Sequence, residues 1–202
     1  ELENRIIERR TVKLPPANLE NPRFALLTRM RGKDVTSYGT KAANLGEIVT
    51  ANLPGVRVPA GFGVPFHYYQ RHIVANGLDK KIAALLADPT FKTDSAWRKQ
   101  ALEQLRTAIA TAPIDQATLD AIYKRVRIKL GGKGVFVRSS TNAEDLPGFN
   151  GAGLYDTVAN VRGKAALEAG CVTASAAAGW MNARGPGGQS TKLYFSSCMK
   201  KT

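Results

Sequence analysis

Four adjacent residues carry the most chemistry in this chain. Arg138, Ser139, Ser140 and Thr141 directly follow the apolar run Val135-Phe136-Val137, and beyond them lies a loop holding Pro147, Gly148, Gly151 and Gly153. A guanidinium offers a fixed fork of donors to phosphate oxygens. Glycines let backbone N–H groups wrap an anion without Cβ clashes. A cation at a strand end, hydroxyls behind it and a glycine loop in front is one way to hold a polyphosphate. A strand, a turn and a glycine-rich hairpin with a surface arginine would give much of the same string, and the residues alone leave both readings open. The glycine spacing matches neither the dinucleotide fingerprint nor the P-loop pattern.

A second cation, Lys41, stands in Tyr38-Gly-Thr-Lys-Ala-Ala-Asn-Leu-Gly-Glu-Ile. Leu45, Ile48, Val49 and Leu53 recur at helical spacing, which predicts a helix from about Thr40 with one apolar face. Lys41 then falls in the first turn, where the helix dipole disfavours a cation. An anion at that N-terminus would account for it. An exposed lysine tolerating a small dipole penalty would account for it too. The two histidines, His67 and His72, lie on one expected helix with no carboxylate or nucleophile near them in sequence, so both read as helix-surface or core-edge residues. Cys171 and Cys198 have neither metal-ligand spacing nor a redox motif and read as free thiols. Glu144 and Asp145, beside a Leu-Pro turn, suit loop capping better than metal ligation.

The elements that must position these groups follow from periodicity and breakers. Residues 1–22 form a polar lead-in with Pro15, Pro16 and Asn21-Pro22; Phe24 to Met30 is a short apolar run, and Arg31 to Asp34 a turn. Val56, Val58, Phe62 and Val64 suggest short strands around a turn. Helices are predicted over Phe66–Ala75, with Asn76-Gly77 as its left-handed cap, and over Leu78–Leu86. A third, Ser95–Ala112, has Trp97, Ala101, Leu105, Ala108 and Ala112 on one face. A fourth, Asp115–Leu130, has Leu119, Ile122, Val126 and Leu130 on one face and ends at Gly131-Gly132. These helices form an insert that carries no chemistry. Strands are expected at Val135–Val137 and Leu154–Val158, and a helix begins at Gly163.

Composition bounds the rest. The 202 residues are 44% hydrophobic and 22% charged, within the ordinary range for a globular protein. The net charge of +13 raises nucleic acid as a partner, but the basic residues are spread out, aromatics are only 7%, and no nucleic-acid motif accompanies them. No apolar run reaches the length of a membrane span. The expectation is a cytoplasmic protein with no nucleic-acid or membrane partner. The chain begins at Glu1 rather than Met, so an absent or processed N-terminus is expected. Residues 171–202 contain no Asp or Glu, hold both cysteines and two of the three methionines, and include Arg184-Gly-Pro-Gly-Gly-Gln-Ser. Low order is expected beyond about Gly185.

The run Val137-Arg-Ser-Ser-Thr-Asn-Ala-Glu-Asp-Leu-Pro-Gly, its small-residue loop and Tyr155-Asp-Thr-Val-Ala-Asn-Val resemble the nucleotide-binding domain of phosphoenolpyruvate synthase and pyruvate phosphate dikinase. Gly39-Thr-Lys-Ala-Ala-Asn-Leu-Gly-Glu resembles the Gly-x-Lys-x-x-x-Leu segment of the same family. The resemblance covers about residues 35–168 and implies an α+β fold, the first lobe of an ATP-grasp nucleotide-binding domain with a helical insert, incomplete at its C-terminus. It divides the chain into a lead-in (1–34), a partial AMP/ATP-binding domain (35–169) and an aberrant tail (170–202). It implies that Lys41 and Arg138 contact ATP phosphate and act in transfer, with Ser139, Gly148, Gly151 and Gly153 completing the ATP site. Mg²⁺ ligands are expected in a missing second lobe, a phosphohistidine in a swivelling domain, and pyruvate on a further barrel, none of them within these residues. Neither His67 nor His72 resembles the phosphorylated histidine. The implied reaction converts ATP, pyruvate and water to AMP, phosphate and phosphoenolpyruvate in the full enzyme, with this chain alone inactive. The same domain could serve another acceptor, as in rifampin phosphotransferases and glucan, water dikinases, or persist as a non-catalytic nucleotide-binding remnant.

Overall fold

The computed structural model describes residues 16–132, 134–142, 157–184 and 197–200, of which 175–184 and 197–200 are described as backbone only. Helices cover one face of a small antiparallel sheet, an α+β arrangement. The chain enters through β1 (Ala25–Leu26) and two 3-10 turns, Leu27–Arg29 and Gly32–Asp34. It continues into α1 (Val35–Tyr38) and α2 (Thr40–Ala51). β2 (Gly61–Gly63) leads to α3 (Phe66–Ala75), α4 (Leu78–Ala87), the short α5 (Thr90–Thr93), α6 (Ser95–Thr111) and α7 (Gln116–Leu130). β3 (Val135–Arg138), β4 (Thr157–Val161), α8 (Gly163–Arg184) and β5 (Ser197–Lys200) complete it.

The strand order is β1-β2-β5-β3-β4, with every pair antiparallel. Between β3 and β4, Val135 faces Val161 while Val137 faces Val158, so Ala159 and Asn160 together oppose Phe136. This is a β-bulge, and Asn160 takes up the extra residue at φ 55°. β5 lies between β2 and β3, with Cys198 opposite both Phe62 and Val137. The tail expected to be poorly ordered therefore holds a described central strand. Pairing on both sides through backbone groups asks little of side chains, which is why the odd composition of the tail did not announce it.

The main core joins β2, β3 and β4 to α3, α4, α6, α7 and α8, through residues such as Phe62, Phe66, Leu102, Ile109, Leu119, Leu130, Val137 and Leu167. In α7 the expected stripe Leu119, Ile122, Val126 and Leu130 is the buried one. In α6 the buried residues are Leu102, Leu105 and Ile109, with Trp97, Ala108 and Ala112 only flanking. Large side chains take the deepest positions there and the alanines fall to the margin. Asp94 and Asp115 cap α6 and α7 by accepting first-turn amides. α8 runs unbroken through Gly170, where an added Cβ would press on Val137 and Val161 at 3.4 Å.

A smaller core, Leu27, Met30, Tyr38 and Ala42, seats α2 on the 3-10 turn before it. The face of α2 differs from expectation: Ala42, Ala43 and Gly46 are buried, Leu45 and Val49 flank, and Ile48 and Leu53 are exposed. Gly46 sets this seam, because a Cβ there would sit 2.6 Å from Met30 Cβ and 2.8 Å from its carbonyl oxygen. Close backbone approach demands small residues and turns the larger ones aside.

Candidate functional site

β3 sorts its side chains by simple alternation. Val135 and Val137 are buried toward α8, so Phe136 and Arg138 point to the other face, each half-buried. Arg138 thus lies at the strand end on the face opposite α8. Its Nε is buried and has no hydrogen-bond partner among the described residues.

The chain then turns inward. Ser139, Ser140 and Thr141 are 0% exposed and Asn142 is 2% exposed. Buried polar groups call for polar partners, and α2 supplies one to the Ser140 side chain and one to the Thr141 backbone. Gly39 is the N-cap of α2 and brings no side chain to it. Instead the Ala42 amide donates to Ser140 Oγ at 3.1 Å, and the Thr40 amide donates to the Thr141 carbonyl at 2.8 Å. Gly39 lies at φ 82°, ψ 167°, a region open essentially to glycine alone, and a Cβ there would fall 2.5 Å from Ser140 C, O and Oγ.

This contact, spanning 98 residues of sequence, brings the two predicted cations to one corner: Lys41 adjoins Ala42, and Arg138 stands two residues before Ser140. It also alters how an anion could be held. Two of the first three amides of α2 already serve protein acceptors, so the helix N-terminus offers the Lys41 side chain rather than a ring of open N–H groups. The corner is braced from α1. Tyr38 Oη donates to the Arg23 carbonyl at 2.5 Å and accepts from Asn21 Nδ2 at 3.2 Å. Burial, partly opposed by the Asn21 bond, raises the Tyr38 pKa, so the phenol stays neutral.

Residues 35–187 match the family described as pyruvate phosphate dikinase, AMP/ATP-binding domain. The chain belongs to that family. It is 34% identical over 140 residues to the phosphoenolpyruvate synthase of Neisseria meningitidis serogroup B, covering 66% of this chain and 18% of the relative. It is 32% identical over 151 residues to the phosphoenolpyruvate synthase of Escherichia coli K12, covering 72% and 19%. A probable phosphoenolpyruvate synthase of Staphylothermus marinus is 35% identical over 138 residues, covering 65% and 16%. The chain thus spans less than a fifth of the length of these relatives. The family match runs past residue 169 and through all of α8.

Of the residues predicted for an ATP site in this family, the structure brings Lys41, Arg138 and Ser139 together at the α2–β3 junction, with Ser139 fully buried. Gly148, Gly151 and Gly153, and the carboxylates Glu144 and Asp145, lie outside the described residues. His67 Nδ1 donates to the Leu19 carbonyl at 2.8 Å, a tie to the lead-in. His72 lines a small cavity of about 40 Å³ with Tyr68, Tyr69, Thr118 and Cys171. Burial pushes the Cys171 thiol up to about 12, which keeps it protonated and unreactive. Among the described residues, no group of three or more His, Cys, Asp or Glu could hold a metal ion, and no helix is long and apolar enough to cross a membrane. The part of the junction not anticipated was Ser140, Thr141 and Gly39 acting together. One signal for it was present: a helix that starts after glycine needs its cap from elsewhere.

Proposed function

We propose that the chain is the first lobe of an ATP-grasp type nucleotide site and that its α2–β3 junction receives the ATP phosphates. The observation that supports this most is the buried Arg138 Nε, which has no hydrogen-bond partner among the described residues. Leaving such a donor unmet costs about 1–3 kcal/mol, and more on a charged group. A phosphate oxygen on that face of the sheet would relieve that cost with a charge-assisted bond.

In this reading Arg138 and Lys41 bind and orient the phosphates and offset negative charge as it shifts during transfer, so their contribution is positioning and electrostatics. Ser139 backs Arg138 from the interior. The loop with Gly148, Gly151 and Gly153 covers the phosphates and excludes water. Mg²⁺, when bound, would offset the negative charge of the phosphates. The described residues offer it no ligand cluster, and its ligands are assigned to a second lobe. The overall reaction proposed is that of a phosphoenolpyruvate synthase, from ATP, pyruvate and water to AMP, phosphate and phosphoenolpyruvate through a phosphohistidine. The pyruvate and histidine steps belong to regions beyond this lobe. The names of the relatives above favour that acceptor over the antibiotic or glucan of related dikinases.

Calorimetric titration with ATP tests the assignment. Arg138→Ala should weaken binding by at least about 100-fold, the scale of losing hydrogen bonds to a charged group. Unchanged nucleotide affinity in that variant defeats it. Binding of ATP without AMP formation would place the chain as a binding lobe with no turnover of its own.

A further inference from the structure

Helix α2 has a defect at its start that another part of the chain repairs. The first amides of any helix lack intrahelical acceptors, and a side chain at the N-cap normally meets one. The N-cap here is Gly39, which has no side chain to offer. Ser140, far away in sequence, supplies the missing acceptor to Ala42 N–H at 3.1 Å, and the Thr141 carbonyl takes Thr40 N–H at 2.8 Å. Lys41 is the residue between those two anchored amides.

We propose that Ser140 is a positioning residue for nucleotide binding: its hydroxyl caps α2 from the end of β3 and so fixes the turn bearing Lys41 relative to Arg138. The proposal rests on the ATP reading above. Ser140 is 0% exposed, so any effect it has on a bound nucleotide passes through the turn it holds. The contact has little room to adjust, because Gly39 packs so closely on Ser140 that even a methyl group would fall 2.5 Å from its backbone. Without the hydroxyl, the Ala42 amide is left unmet in a buried place. The turn then relaxes toward solvent, and Lys41 loses its fixed relation to Arg138 while both charges remain.

The test uses the full chain with Ser140→Ala, and with Ser140→Cys as a second variant that keeps the side-chain volume but accepts hydrogen bonds weakly. Amide hydrogen exchange and titrations with ATP and with adenosine are measured on each. In Ser140→Ala, exchange at Ala42 should quicken and ATP affinity fall by about tenfold each, the scale of a lost cap. Adenosine affinity and exchange within α7 should not move, and Ser140→Cys should fall between. An equal loss of ATP and adenosine, or quicker exchange throughout α7, would mean that Ser140 only supports folding. Unchanged exchange at Ala42, or a loosened turn with unchanged ATP affinity, also overturns the proposal. If the unaltered chain binds no ATP, the nucleotide reading fails with the binding half of this proposal, and exchange at Ala42 still decides whether Ser140 holds the turn.

Discussion

The helical layer of α6, α7 and α8 and the α2–β3 junction are built from different materials. The layer is filled by large apolar side chains at helical spacing, Leu102, Leu105 and Ile109 on α6 and Leu119, Ile122, Val126 and Leu130 on α7. Its attraction is non-directional and scales with the area buried. The junction is assembled from Gly39, Ala42, Ala43, Gly46 and the buried Ser139–Asn142 run, joined by directional bonds such as those from Ala42 N–H to Ser140 Oγ and from Thr40 N–H to the Thr141 carbonyl. A layer of the first kind supplies stability and tolerates exchange of similar volumes. A joint of the second kind fixes two charged groups from distant parts of the chain, and tolerates almost no exchange.

The largest effects should fall on stability in the layer. Ile109→Ala, at a fully buried position, should cost about 2–5 kcal/mol in denaturant unfolding. The fraction that stays folded should bind ATP as before, since Ile109 is on α6 and has no part in the junction. A folded Ile109→Ala chain with much weaker ATP binding would break the division between the two regions.

Gly39→Ala should do the reverse. Its φ and ψ alone imply a cost of about 1–3 kcal/mol, and the clash with Ser140 adds to it. Because the strain is local, nucleotide affinity should fall further than stability does. Denaturant unfolding and ATP titration on the same sample give both numbers. A Gly39→Ala chain as stable as the original would mean the seam is far softer than its geometry.

The same division explains what could be read in advance. The stripe Leu119, Ile122, Val126 and Leu130, the strand at Val135–Val137 and the left-handed glycines after α7 follow from short-range pattern, and they lie where expected. The apolar face of α2 did not, because Leu45, Ile48 and Val49 look like a core stripe until Gly46 is seen to press α2 onto Met30. The fourth strand is described over Thr157–Val161 and runs past its expected end at Val158 through the bulge at Asn160, while residues 154–156 lie outside the described residues. Lys41 and Arg138 stood out by residue type. The Ser140–Ala42 bond joining their surroundings links residues 98 apart, and no local spacing encodes it. Likewise β5 is held by backbone pairing on both sides, for which its side chains give little warning.

The smallest effect belongs to His72, the one titratable imidazole set against the apolar layer, and it vanishes at neutral pH. Its cavity is lined by Val64, Tyr68, Tyr69, Ile114, Thr118, Ile122, Cys171 and Val172, with no charged side chain among them. Asn76 Nδ2 lies 3.4 Å from Nδ1, and Nε2 is buried with no hydrogen-bond partner among the described residues. Burial therefore lowers the His72 pKa below its ordinary 6.5, opposed only in part by the nearby Ile109 backbone. A histidine whose folded pKa is depressed binds fewer protons folded than unfolded once the pH drops below about 6.5, so stability rises with pH across that window. Above it both states are neutral at this site and the group contributes nothing. His72→Gln keeps a polar side chain of similar reach that does not titrate. Thermal unfolding of both proteins from about pH 7.5 to about pH 5 should give midpoints with a constant offset at the upper end. As the pH falls, the original chain should lose ground to the variant. Carboxylates titrate alike in both and cancel in the difference. Parallel curves would show that the imidazole reaches water or a partner when protonated, and the layer would then have no pH-sensitive point at His72.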